Sequence, residues 1–251
     1  MKTALLLCGD ARFCEDFDVQ LENLKDNDID YYIVLWKRKH SETFHRNFLL
    51  PPSWEYDTAE EARAKIEPNL PPRHRIAHIE LVDPSEWPPL TKEYKHKDCT
   101  IENYFQQHWI LKRCDQRRLE SSIKYDLVIR SRPDGNVSPF INLDEIYNIL
   151  SNRPNMIIVP GNHVSVGYND IFAIGLADTM EKYCKIVDYV DHFNLVLNVK
   201  FHSEIMSTTI LHSLGITWPN TNVTARLRVK GEFKGGGDPD PFFIPDFGRW
   251  A

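Results

Sequence analysis

The chain lacks any apolar run near the roughly 18–20 residues that a membrane-spanning helix requires. Its N-terminal apolar stretch, Ala4 to Cys8, meets Gly9-Asp10 well before the ~7–15 residues of a secretory h-region. That stretch reads as a buried first strand, and a cytoplasmic protein is expected. Cysteine is sparse: Cys8, Cys14, Cys99, Cys114 and Cys184 are scattered and form no CxxC, which argues against a disulfide frame or a zinc site. The histidines show no HExxH spacing. GxGxxG, GxxxxGK[ST] and a nucleophile elbow are also missing, so dinucleotide, P-loop and serine-hydrolase readings fall away. Positive charge is not in excess. A net charge of −6 and a pI near 5.9 argue against general nucleic-acid binding. Without an export signal, the sequons at Asn136 and Asn222 are expected to stay unmodified.

What is present is the composition of a globular enzyme, 42% hydrophobic and 26% charged, in 251 residues, enough for one substantial core. Ala4 to Cys8, a helical pattern over Phe13 to Leu24, and the aromatic and β-branched run Asp30 to Trp36 together make a unit of βαβ size. Thr58 to Ile66 predicts a helix with Thr58 as N-cap and Glu61 at the third position. Ile76 to Val82 predicts a third strand. Thr100 to Ser122 predicts the longest helix, with Ile101, Tyr104, Phe105, His108 and Trp109 as its core stripe. Arg113, Arg117 and Arg118 near its end suit the helix dipole.

Further strands are predicted at Tyr125–Arg130, Met156–Val159 and Asp170–Gly175, and helices at Ile141–Leu150, Ala177–Val190 and Ser203–Leu214. The fold class expected is α/β, a mainly parallel central sheet flanked by helices. It occupies residues 1–218, and residues 219–251 form a C-terminal tail that folds back or docks on a partner. Continuous apolar strands are the reason to place all six in one sheet.

In such sheets ligands bind beyond the carboxyl ends of the strands. That picks out Gly9-Asp10-Ala11-Arg12, the stretch Arg130-Ser131-Arg132-Pro133-Asp134, and the region around Asp170. Period-two spacing puts Arg130 and Arg132 on one face, where two guanidinium groups suit a diphosphate and Asp134 suits a bridging divalent cation. The plainer alternative pairs the arginines with Asp126 or Asp134 around a type I turn. Gly9, Asp10 and Arg12 are candidates to face a nucleotide. Asp170 and Glu204 are candidate general bases, the latter opening a helix after His202.

The run Tyr125 to Asp134 resembles the central strand and metal loop of GT-A type glycosyltransferase-like proteins, including the bacterial and viral WavE-like group from lipopolysaccharide synthesis. Cys8 to Arg12, Gln107-His108-Trp109, Asn169 to Gly175 and His202-Ser203-Glu204 fit the resemblance in order. The resemblance implies transfer of a sugar from a nucleotide diphospho-sugar to an acceptor hydroxyl in surface-glycan synthesis, with manganese or magnesium as cofactor. That group presents Asp-x-Asp where this chain has Arg132-Pro133-Asp134, so only Asp134 carries over as a metal ligand. Two other readings stay open: a non-catalytic nucleotide- or glycan-binding module, and a nucleotidyltransferase.

Overall fold

The computed structural model describes residues 1–10, 24, 27–37, 56–94, 101–133, 142–161 and 170–219, plus the backbone of strands at 135–138, 224–229 and 232–234. In chain order the elements are β1 (Thr3–Asp10), β2 (Ile29–Trp36), α1 (Ala59–Ile66), β3 (His74–Val82), α2 (Ile101–Glu120), β4 (Leu127–Ser131) and β5 (Gly135–Ser138). They continue with α3 (Leu143–Asn152), β6 (Ile157–Ile158), β7 (Phe172–Leu176), α4 (Ala177–Cys184), α5 (Ser203–Ser213), β8 (Thr224–Val229) and β9 (Glu232–Lys234).

All six expected strands share one sheet, in the order β3-β2-β1-β4-β7-β6. β1 pairs in parallel with both β2 and β4, and β2 with β3. β7 runs antiparallel to both β4 and β6, so the sheet is mixed and mostly parallel. The β6–β7 link carries no helix among its described residues, and an antiparallel neighbour needs no helical crossover.

Strand alternation sorts the core into two layers. Leu5, Leu7, Tyr31, Ile33, Ile129 and Phe172 face one way, under Ala62 and Ile66 of α1 and Leu143 and Leu150 of α3. Ala4, Leu6, Cys8, Tyr32, Val34, Val128 and Ala173 face the other, packed with α2, α4 and α5. Ile101, Tyr104, Phe105 and His108 are buried along α2 as the stripe predicted, while Trp109 is partly covered and stacks on Trp36.

The Thr58 hydroxyl caps α1 by accepting from the Glu61 amide at 3.1 Å. The α2 arginines do more than answer a helix dipole. Arg113 and Arg117 converge on Glu80 of β3, and Arg118 forms a buried ion pair with Asp115. The helix predicted over Ala177–Val190 stops at Cys184 and continues as a 3-10 turn over Ile186–Tyr189. The segment expected as a tail contains β8 and β9, and β8 pairs antiparallel with β5. The predicted helix over Phe13 to Leu24 lies outside the described residues except at Leu24. No helix among the described residues is long and apolar enough to cross a membrane.

One consequence of the order positions the site. The chain leaves β1 toward β2 and β3 on one side and returns to β4 on the other, so the connections diverge between β1 and β4. In open α/β sheets ligands bind at such a switch point, outside the carboxyl ends of the two strands.

Candidate anion-binding site

At the carboxyl end of β1, Gly9 has φ +137°, a backbone conformation that side-chain-bearing residues rarely adopt. A Cβ built there would lie 3.5 Å from Cδ of Pro133. The Gly9 end of β1 is therefore packed against Pro133 at the exit from β4. Arg12, the third member of the expected nucleotide loop, lies outside the described residues, as does Asp134.

β4 is buried along its whole length, yet its fourth residue is an arginine. Arg130 faces the α2 layer and is only 1% exposed, so it acts from beneath the rim rather than lining an open cleft. Burying a guanidinium costs several kcal/mol unless its charge and donors are matched. The match here is incomplete. The guanidinium reaches the Cys8 thiol and lies near Tyr183 of α4 and Asp170. Its Nε and Nη1 have no hydrogen-bond partner among the described residues. Burial opposes its charge, but Tyr183 and Asp170 outweigh that and hold it firmly protonated. Burial also pushes the Cys8 thiol up to about 11, so Cys8 is neutral and not a nucleophile.

Arg132 follows, partly exposed, its amide bonded to the Ile171 carbonyl at 3.3 Å across the β4–β7 ladder. That bond brings Asp170, just ahead of β7, to the two arginines. Burial raises the affinity of Asp170 for a proton, but Arg130 and Arg132, with a hydrogen bond from the Gln107 amide, overcome it and keep the carboxylate ionised below its usual range. Asp126, one partner in the plainer reading, instead accepts from the Lys2 amide at 2.7 Å.

Near the partly exposed Asp170 lies His108 of α2, which is buried. Burial and Arg130 push its pKa down to about 4 against the pull of Asp170, so the ring is neutral. Its Nε2 makes a long 3.5 Å contact to the Ser207 hydroxyl of α5, which is 2.7 Å from the Tyr104 hydroxyl. Its Nδ1 has no partner among the described residues. Glu204 sits one turn before Ser207 in the first turn of α5 and is partly buried.

The structure thus brings together Gly9, Asp10, Arg130, Arg132 and Asp170, and adds Cys8, Gln107, His108, Tyr183 and Ser207. Sequence reasoning assigns His108 to core packing, because apolar-stripe spacing does not distinguish a packed histidine from one placed near a buried charge. Among the described residues no group of three or more His, Cys, Asp or Glu side chains is placed to hold a metal ion. The concentrated positive charge at this edge belongs to Arg130 and Arg132. No protein-family model and no curated protein matches the chain.

Proposed function

We propose that the protein is a glycosyltransferase that moves a sugar from a nucleotide diphospho-sugar to an acceptor hydroxyl, with the diphosphate seated over Arg130 and Arg132. One observation carries this reading: a fully buried guanidinium with two nitrogens that have no hydrogen-bond partner among the described residues, beside a second arginine, toward the carboxyl end of β4 where the connections of β1 and β4 diverge. Oriented donors in a desolvated site stabilise charge that grows on a leaving group, and that effect is usually the largest catalytic one. Cleavage of the sugar–phosphate bond leaves charge on the diphosphate, which Arg130 and Arg132 are placed to receive. In this reading Gly9, Asp10 and Arg12 face the nucleotide.

Of the two candidate bases, Glu204 takes the acceptor proton and Asp170 serves as the fixed counter-charge. A base works best with a pKa near the working pH, and Asp170 is held away from it. Asp134 is proposed as the ligand of a manganese or magnesium ion. The described residues build no such site, and no step above depends on the ion. GT-A architecture and a place in surface-glycan synthesis belong to the same proposal, supported by the strand order and by the Arg130–Asp134 resemblance.

The same low basicity of Asp170 favours a second reading, a module that binds nucleotide sugars without turning them over. A thermal-shift panel of nucleotide sugars, with manganese and with chelator, followed by product detection, separates the readings. Transferase activity requires both binding and turnover, and both should fall on Arg132→Met. Binding without turnover selects the module, and no binding of any nucleotide sugar overturns both.

A further inference from the structure

The strand order sets an order of side chains along the carboxyl edge of the sheet. β1, β4 and β7 lie side by side, and they bring to that edge Gly9 and Asp10, then Arg130 and Arg132, then Asp170 just ahead of β7. Each group is joined to the next. A Cβ on Gly9 would lie 3.5 Å from Pro133 Cδ, and the Arg132 amide donates to the Ile171 carbonyl, next to Asp170, at 3.3 Å. The Asp170 carboxylate in turn accepts from the side-chain amide of Gln107 on α2.

This last bond fixes which way Gln107 faces. An ionised carboxylate only accepts, so the amide turns its NH2 group to Asp170 and its Oε1 away. The side chain makes no other hydrogen bond among the described residues. Gln107 is partly exposed, and Oε1 is not one of the buried atoms without a partner, so solvent reaches it. The edge therefore presents a fixed, neutral acceptor next to the carboxylate that adjoins Arg132.

We propose that Gln107 is a specificity-determining residue of the donor site, accepting a hydroxyl of the sugar at Oε1 while Arg130 and Arg132 hold the diphosphate. The proposal rests on the nucleotide-sugar reading and adds the group that tells a nucleotide sugar from its bare diphosphate. A carbonyl oxygen takes a hydroxyl or an ammonium, and the charge of Arg130 and Arg132 works against an ammonium nearby, which leaves a hydroxyl. A carboxylate at position 107 would hold the hydroxyl more strongly but would also repel the diphosphate; an amide does not. The order along the edge agrees. With the nucleotide at β1 and the diphosphate at β4, the sugar falls at β7, where Gln107 meets Asp170. Neighbouring strands lie about 4.8 Å apart, so β1 to β7 spans roughly 10 Å, room for a diphosphate between nucleoside and sugar. The carboxylates of the site have other places in this reading: Asp10 stands at the nucleotide end, Asp170 holds Gln107, and Glu204 takes the acceptor proton.

Titration calorimetry of the full chain with UDP-glucose and GDP-mannose, each beside its nucleoside diphosphate, tests this. The wild type should bind at least one of the two nucleotide sugars more tightly than the matching diphosphate. Gln107→Met should lose about fivefold of that margin, the worth of one neutral hydrogen bond, with diphosphate affinity unchanged. One monodeoxy analogue of the preferred sugar should bind the wild type about fivefold more weakly, and Gln107→Met should not distinguish that analogue from its parent. An undiminished margin in Gln107→Met overturns the proposal. So does an equal loss of diphosphate affinity in both Gln107→Met and Gln107→Ala, and so does a wild type that binds the nucleotide sugars no better than the diphosphates. All three leave nucleotide binding standing. If the wild type binds neither sugars nor diphosphates, the nucleotide-sugar reading falls and the proposal with it.

Discussion

Replacing Arg130 by Met and Asp170 by Asn, singly and together, separates charge held for function from charge held for stability. Removing one partner of a buried charge pair costs about 3–5 kcal/mol, because the other is left buried without compensation. Arg130→Met leaves Asp170 with Arg132 and Gln107, and belongs at the low end. Asp170→Asn removes a carboxylate that offsets two guanidinium groups at once, and belongs at the high end. For a chain of 251 residues, about 2 °C of melting temperature accompanies each kcal/mol, so the singles should fall by roughly 6–10 °C.

The double variant removes both charges, and Met roughly fills the space of the arginine stem. Replacing a buried pair outright is often near neutral, so it should recover to within about 1–3 kcal/mol of wild type. Additivity would instead predict a loss of roughly 6–10 kcal/mol. A saturating oxyanion at a hundred times its Kd should raise wild-type stability by about 2.7 kcal/mol and leave the double variant unmoved. Scanning calorimetry of the four proteins with and without sulfate reads both effects. Additive losses would show that Arg130 and Asp170 do not balance each other, and sulfate protection of the double variant would move the anion site elsewhere.

Three further outcomes follow from the fold. Burial raises the pKa of Glu80, but Arg113 and Arg117 outweigh it and bring it down to about 2. Its stabilisation is therefore complete above the unfolded value of 4.5 and is lost as pH falls through about 2. Allowing for the solvent around both arginines, it amounts to about 1–2 kcal/mol; Glu80→Gln should flatten the urea midpoint over that window, and an unchanged acid slope refutes the assignment. Thr58→Ala should cost about 1 kcal/mol through loss of the α1 cap while Thr58→Ser retains it; equal midpoints for the two variants would show that the cap is idle. Gly175→Ala places a Cβ 2.9 Å from Met180 Cγ and 3.0 Å from Ile157 Cγ2, and should destabilise by about 1–3 kcal/mol in thermal unfolding; no change would mean that β6 and α4 yield freely.

The sheet was legible because its strands are buried on both faces and so read as unbroken apolar runs between turn residues. Ala4 to Cys8 and Leu127 to Ile129 are recognisable without any knowledge of their neighbours. The reversal of β7 was not legible, since a strand covered on both faces has the same pattern whichever way it runs. Arg130 announced itself as a charge at the end of an apolar strand, and parity placed Arg132 on the same side. His108 stayed hidden because its spacing is that of the core stripe it belongs to. Only the packing of α2 against β1 and β2 brings this member of the stripe near enough to Arg130 and Asp170 to feel their charge. Ser207 was silent for a related reason, as a short polar side chain at a helix position carries no pattern until a partner is placed opposite it.

Buried polar groups occur elsewhere in the core, and their placement decides which cluster is the site. Asp30 of β2 accepts from Arg75 at 2.8 Å and from the Tyr125 hydroxyl at 2.7 Å, and Tyr125 also meets the Tyr32 hydroxyl at 2.9 Å. Asp30 and Arg75 are the second residues of β2 and β3, and Tyr125 precedes β4, so this network ties the amino edge of the sheet, away from the switch point. Tyr31 and His74 join at 2.9 Å, with the His74 ring also 3.0 Å from the Leu24 carbonyl, again at a strand start. Arg118 is as buried as a core residue, but its carboxylate lies one turn away on the same helix at 2.7 Å, which leaves a single nitrogen without a partner. In each of these most of the polar groups are paired within the network, and the strands or helix gain a fixed register. Arg130 differs on both counts: two of its nitrogens lack partners among the described residues, and it stands toward the edge where the connections diverge. A purely structural role would be served better by an aliphatic residue continuing the run from Val128. The stability sacrificed at that one position is the physical reason for proposing that an anion binds there.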